Sequence, residues 1–428
     1  MIFTLLDIIN SIKKFPFYII TPTIYAIGNA SEQINLAANY TDKRKKDLIV
    51  IKINVLPKFL EYSICNDALF ESLQLENQNN KYKVIRFLLW FFVNLEFFFR
   101  RTFILFFRKL FKIKFKEKYI FPAIGIDQIY GTKKINLKTI NYKTIKPFRS
   151  NNELLIIDPE KVKYCENKIR KLGLEREDKI VCVHSRDSEY RGDLHRKNYR
   201  NSDINNYIDT INFLIQKGYK VIRMGKNSNK KINLQHKNFI DYNFVEIQED
   251  LLDLYLIKRC EFYIGSQSGI LDVAHMFNKP ILLTNMCELY SAYPRKDCDL
   301  GIFKKISNKV SGEIINISNF AKMQFKYHDP QIEIKDLIFD ENSPEDLLES
   351  TKEFLENLEK KNSKTELQKN FNELIKKQHE IFFYKRPRNQ HNLLKQIDAL
   401  KMIRMLKLSE GALCNTYLKK QILEQKKW

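Results

Sequence analysis

Paired cysteines are missing from this chain. Its seven cysteines (Cys65, Cys165, Cys182, Cys260, Cys287, Cys298 and Cys414) are scattered and odd in number, and none forms a Cys-x-x-Cys pair. That spacing indicates neither a zinc site nor a disulfide framework. Cys182 and Cys260 lie in or beside apolar runs and read as small core hydrophobes, which fits a reducing, cytoplasmic compartment. Long uncharged runs are missing too. No stretch reaches the ~18 residues of a membrane span. The first residues lack a basic n-region, and the run 15–28 is short and broken by Pro16 and Pro22, so no secretory signal is expected. No internal repeat stands out. Acid is the scarce charge: 51 Asp and Glu against 73 Lys and Arg leave 428 residues with a net charge of +22. That sign favours anionic partners, whether nucleotides, nucleic acid or acidic headgroups. Much of the lysine travels with Asn and Ile, however, which is the pattern of compositional drift. With 44% hydrophobic and 29% charged residues the chain is globular, and its length suggests two or three domains.

The chain divides by pattern. Residues 23–33, Thr-Ile-Tyr-Ala-Ile-Gly-Asn-Ala-Ser-Glu-Gln, predict a strand, a turn at Gly28 and a helix, with a second strand at 47–53. That is the start of a βαβ unit, and Gly28 serves either a tight turn or close approach of a ligand. Residues 84–112 are a basic, aromatic helix. On a helical projection Arg86, Asn94, Arg100, Arg101, Arg108 and Lys112 fall within about a 120° arc. Leu88, Phe92, Leu95, Phe99, Phe106 and Leu110 gather opposite. Such a helix suits the interface of an anionic membrane, or else a core helix with its charges in solvent. Residues 130–153 read as a linker. From 151 to about 340, helix and strand alternate as in a doubly wound parallel sheet, and Ser343-Pro344 opens a charged, helical stretch that runs to Trp428.

Chemistry concentrates at the ends of two predicted strands. The buried run Ile180–Val183 breaks into His184, Ser185, Arg186 and Asp187 without a turn residue. In open α/β sheets ligands sit beyond the carboxyl ends of the strands, and a guanidinium there suits a phosphate. The following loop adds Glu189, Tyr190, Asp193, His195 and Arg200. Arg223 lies in the strand 221–225 and needs either a structural counter-ion or a ligand. The loop Gly265-Ser266-Gln267-Ser268-Gly269 links a strand to a helix, where small residues leave backbone N–H groups for an anion. Its serines either donate to a phosphate or cap the helix.

Taken in order, His184-x-Arg-Asp-Ser-x-Tyr190, Tyr199-Arg-Asn201, Asp203-Ile, Val221-Ile-Arg-Met-Gly225 and Phe262-Tyr-Ile-Gly-Ser-Gln-Ser-Gly269 resemble a family of predicted bacterial glycosyltransferases associated with surface-polysaccharide gene clusters. Ile27-Gly-Asn-Ala-Ser-Glu-Gln33 is similar to that family's opening element. The resemblance implies an α/β fold of two Rossmann-like domains (GT-B type): an acceptor domain at 1–150 and a nucleotide-sugar domain at 151–340, followed by a helical extension at 341–428. It implies a nucleotide-sugar donor, a lipid-linked or surface-polysaccharide acceptor, and catalysis with neither metal nor cofactor. More distantly, His184-Ser-Arg186 and the Gly-Ser-x-Ser loop are similar to the GDP-fucose-dependent fucosyltransferase superfamily, although Asp187 stands where its motif has a second arginine.

On this reading Arg186, Tyr190, Arg200, Arg223, Gly265, Ser266, Ser268 and Gly269 hold the donor. Asp187 is the first choice of base, with His184 and His195 as catalytic candidates and Glu189 and Asp193 as substitutes. Gly28, Asn29 and Glu32 face the acceptor, and 84–112 brings the cleft to the inner face of the cytoplasmic membrane. Two other classes compete. One is a metal-dependent phosphoesterase using His184, Asp187 and His195. The other is a basic nucleic-acid-binding protein, against which the aromatics count because they cluster in one apolar face rather than on a stacking platform.

Overall fold

A computed structural model describes residues 2–12, 14–24, 26–53, 65–75, 82–111, 124–126, 129, 154–187, 198–226, 228, 230–289, 293–326, 336–360, 363–385 and 410–425. The expected linker, the loop positions Glu189, Tyr190, Asp193 and His195, and Lys112 lie outside them.

The N-terminal part contains α1 (Ile2–Ser11), β1 (Phe17–Ile20), α2 (Ile27–Asp42), β2 (Asp47–Val50), α3 (Ala68–Glu71), β3 (Leu73–Leu75) and the long α4 (Lys83–Phe111). β1 and β2 pair in parallel with α2 as their crossover, so the expected βαβ unit is present. Its first strand lies earlier than the sequence pattern suggests. The apolar run Phe17–Ile20 forms it, whereas Ile27 already opens the helix. Gly28 therefore sits in the first helical turn rather than in a loop.

β4 (Leu155–Ile157) pairs with β3, and α5 (Pro159–Ile169) begins at Asp158, whose carboxylate accepts the Glu160 N–H at 2.9 Å. The remainder is built on one sheet. β5 (Ile180–His184), α6 (Ile208–Gln216), β6 (Lys220–Arg223), β7 (Phe239–Asp241), α7 (Asp250–Arg259), β8 (Phe262–Ser266), α8 (Gly269–Met276), β9 (Ile281–Met286) and β10 (Leu300–Phe303) follow in turn. An antiparallel pair of β11 (Lys305–Asn308) and β12 (Leu337–Asp340) brackets α9 (Ile317–Lys326) in the chain. The end of the chain comprises α10 (Pro344–Lys360), α11 (Glu366–Lys385), β13 (Ala412–Leu413) and α12 (Asn415–Gln425).

The large sheet is seven-stranded and wholly parallel, in the order β13-β10-β9-β8-β5-β6-β7. Every residue of its central strands β5, β8 and β9 is buried, which is why their sequences are continuous apolar runs rather than alternating ones. The stretch after 341 is not simply a helical extension. β13 adds a strand to the edge of the sheet, and reciprocal side-chain bonds between Asn285 and Asn342 (2.6 and 2.8 Å) fasten the start of α10 to the end of β9. Ser343 and Asp346 then cap α10 reciprocally.

α4 is turned against expectation. Its inward side carries Val93, Phe97, Ile104 and Arg101, all buried, with Arg86, Asn94 and Arg100 half-buried. The Asn94 amide donates to the Lys52 carbonyl at 3.1 Å. Of the polar arc, Arg86, Asn94, Arg100 and Arg101 thus turn to the protein while the aromatics face outward; the side chain of Arg108 lies outside the described residues.

α2 packs on α8 through two glycines. A Cβ on Gly28 would lie 2.8 Å from the Gly269 Cα, and one on Gly269 would lie 3.0 Å from the Gly28 nitrogen. Only hydrogen fits at such a crossing, because no real Cβ tolerates backbone this near. Gly28→Ala should therefore lower stability by about 1–3 kcal/mol. The check is chemical denaturation, and an unchanged midpoint would contradict the close crossing.

Candidate functional site

The chain reverses its direction of travel across the sheet between β5 and β8. From β5 it proceeds outward through β6 to β7, then returns to the other side of β5 to form β8. At such a switch point the loops after the two adjacent strands leave in opposite directions and open a crevice. His184 pairs in register with Gly265, so the two loops begin side by side. A Cβ on Gly265 would lie 2.7 Å from the His184 carbonyl oxygen, and this closeness accounts for the glycine.

The loops are joined atom to atom. The Arg186 N–H donates to the Ser266 hydroxyl at 2.9 Å, and the Ser268 hydroxyl lies 3.3 Å from His184 Nδ1. Ser268 is the extended residue that precedes α8, yet its side chain does not cap the helix. Of the two roles expected for it, capping is therefore excluded. The positive end of α8 lies directly beyond it, with α2 against it and the Asp272 carboxylate, paired with Arg295 at 3.0 Å, in its first turn.

The Arg186 guanidinium donates to the Asn201 side chain, and the Arg186 carbonyl accepts the Ser202 N–H at 2.9 Å. Asn201 in turn accepts, at its carbonyl, the Lys304 ammonium. Lys304 is itself buried, and that desolvation holds its pKa below the usual lysine value. Arg200 stands nearby, and among the described residues its buried Nε has no hydrogen-bond partner. A buried guanidinium donor in that condition suits an anion. Asp187 follows Arg186 at the half-buried rim.

Arg223 belongs to a different arrangement. Its guanidinium pairs with Asp241 at 2.9 Å and also donates to the Lys230 carbonyl and the Ser228 hydroxyl. Of its two expected roles the structure shows the structural one, and its charge helps to lower the pKa of His184. On the α2 side Gly28 is buried by α8, while Asn29 is exposed and Glu32 is half-buried.

Three polar groups of this edge escaped the sequence reading. Glu288, just past β9, is buried and accepts the Tyr199 hydroxyl; burial and this carboxylate together push the Tyr199 phenol well up. The Gln267 side chain accepts the Cys287 and Glu288 N–H groups at 2.8 and 3.1 Å, tying the β8 loop to the β9 loop. Lys304 is the first residue past β10. The strand-end rule that selected His184 selects Glu288 and Lys304 equally when applied to every apolar run.

Among the described residues no three His, Cys, Asp or Glu side chains converge to hold a metal ion. Of the set His184, Asp187 and His195, the last lies outside those residues.

His184 has a specific electrostatic state. Burial first, then the charges of Arg223 and Arg186, push its pKa down to about 3. The ring is therefore neutral at pH 7, and at so low a pKa it is a weak base. Since an unfolded histidine protonates near 6.5, the unfolded chain gains a proton between about pH 6.5 and 3 that the folded chain refuses. Stability falls across that window as pH falls. His184→Gln removes this contribution, so the stability advantage of the parent chain over the variant should shrink by about 2 kcal/mol from pH 7 to pH 5. Denaturant titrations at the two pH values measure it, and parallel behaviour of the two chains would refute it.

No protein-family model and no curated protein matches the chain. Among solved structures it is similar to a glycosyl transferase family 9 protein from Veillonella parvula DSM 2008, with a TM-score of 0.33 and 10% identity over 64% of this chain and 82% of that one. A likeness so slight assigns neither fold nor function.

Proposed function

We propose that the chain is a glycosyltransferase that moves a sugar from a nucleotide-sugar donor to a lipid-linked or surface-polysaccharide acceptor. One observation carries this reading: the β5 and β8 loops meet at the switch point of the parallel sheet, Arg186 on Ser266 and His184 on Ser268, at the N-terminus of α8. That crevice has the chemistry to hold a diphosphate.

Transfer requires the sugar–phosphate bond to break while the acceptor oxygen bonds to the anomeric carbon. The departing nucleoside diphosphate gains negative charge, and the acceptor hydroxyl loses its proton. Arg186, Arg200, the Ser268 hydroxyl and the first amides of α8 stabilise that charge, which preorganised donors do well in a low-dielectric crevice. Lys304 supports them by fixing Asn201, and thereby Arg186. Asp187 takes the proton. His184 is the poorer candidate because its low pKa leaves it little affinity for one, and Glu288 is engaged by Tyr199. Asn29 and Glu32, at the start of α2, face the acceptor. The outward aromatic side of α4 supports a lipid-linked acceptor, contact with an anionic membrane, and a location at the inner face of the cytoplasmic membrane.

The test uses the purified chain with UDP, GDP, CMP and their sugar conjugates. One nucleotide class should raise the melting temperature, and its sugar conjugate should turn over in the presence of acceptor lipid. Arg186→Ala should lose that shift and at least about a hundredfold of turnover while melting as the parent chain does without ligand. Full activity in this variant, or no response to any of the three classes, would sink the proposal.

A further inference from the structure

The outward face of α4 does not stand alone. Phe87, Phe91, Phe98, Phe99, Phe103 and Phe106 are each 45–63% exposed along it. No described helix is long and apolar enough to cross a membrane. α1 lies against α4 and repeats its logic on a smaller scale. Leu6 and Asn10 point inward, Asn10 exchanging hydrogen bonds with the Ile19 backbone at 2.7 and 2.9 Å. Leu5, Ile8 and Ile12, spaced as one helical stripe, remain 43–53% exposed.

Arg86, Arg100 and Arg101 of the polar arc of α4 face the protein rather than a lipid surface. Cations are supplied elsewhere. The Lys46 ammonium donates to the Ile12 carbonyl at 3.0 Å, which fixes the run Lys43-Arg44-Lys45-Lys46 at the end of the α1 stripe. Lys43, Arg44 and Lys45 are exposed, as is Lys14. Exposed apolar stripes on two helices in contact mark an interaction surface, and basic residues at the end of one of them select an anionic one. A second copy of this chain would bring the same cations against each other.

We infer that α1 and the basic run 43–46 form, together with α4, one surface that seats on an anionic lipid bilayer. The inference rests on the reading of α4 as a membrane contact and extends it by naming the elements that choose the lipid charge. The apolar stripes enter the acyl boundary, and the run 43–46 meets the headgroups.

The experiment is co-sedimentation of the full chain with vesicles of phosphatidylcholine alone and of phosphatidylcholine mixed with phosphatidylglycerol. Binding should favour the anionic vesicles and weaken with salt. Lys43→Ser, Arg44→Ser and Lys45→Ser combined should cost about fivefold per cation, on the order of a hundredfold in all, on anionic vesicles only. Leu5→Asn with Ile8→Asn should weaken binding to both kinds. All these positions are exposed, so the variants should melt with the parent. If these two variants bind as the parent while Phe99→Ser with Phe103→Ser does not, α1 and the basic run have no part and the inference falls, with α4 left as the contact. If the α4 variant also binds as the parent, the underlying reading falls too. Concentration-dependent dimers without vesicle uptake would assign the face to self-association and overturn both.

Discussion

The adjacency of β5 and β8 is the constraint on which the rest depends. Parallel strands send their following loops to the same edge, so any polar residue placed just past a buried run arrives at one line of sites. His184, Arg186, Ser266, Ser268, Glu288 and Lys304 all occupy such positions. Among the described strands, only β5 and β8 are adjacent strands whose connections run in opposite directions across the sheet, which is where such a sheet opens a crevice. The register of His184 with Gly265 fixes the spacing of the two loops. The hydrogen bonds across them follow from that register rather than from loop sequence alone.

This edge is expensive in charge. Lys304, Glu288 and His184 are all buried there, and ionising a buried group costs free energy unless neighbours repay it. The chain meets the cost in three ways. His184 stays neutral, Glu288 accepts a tyrosine hydroxyl and two loops pinned by Gln267 surround it, and Lys304 donates to a carbonyl that orients the partner of Arg186. The glycine crossing of α2 and α8 adds a second constraint, since it brings the start of the N-terminal crossover helix against the helix that follows β8. Two helix N-termini with no side-chain cap therefore meet at one place, where Asp272 and Arg295 already balance part of the field.

Much of the large sheet was legible in the sequence because its central strands are buried on both faces. Uninterrupted apolar runs bounded by charge identify β5, β8 and β9 directly, and Ser343-Pro344 marks a helix start by capping chemistry. The crevice was legible for the same reason: His184, Arg186, Ser266 and Ser268 follow such runs. Other features were hidden because their causes are tertiary. β1 was misplaced, since Thr23–Ile27 is as β-rich as Phe17–Ile20 and only packing decides between them. β13 is two residues long and exists by pairing to β10. The engagement of Arg223 by Asp241 joins neighbouring strands eighteen residues apart, and no local pattern announces it.

α4 shows the limit of periodicity most plainly. A helical projection separates the polar arc from the aromatic one, yet it is symmetric with respect to which arc faces the protein. Solvent exposure alone would turn the aromatics inward. The opposite orientation is held by Asn94 on the Lys52 carbonyl and by the burial of Val93, Phe97 and Ile104 within the polar side. Those few contacts leave a long row of phenylalanines uncovered, at a cost in water that grows with every exposed ring. A bilayer surface, as proposed, would remove that cost over the whole row at once. The same argument governs α1, whose stripe would otherwise be a second uncompensated patch beside the first. On the proposed membrane reading, the basic run at its end would set the sign of the surface that covers both, since apolar burial is indifferent to headgroup charge and cations are not.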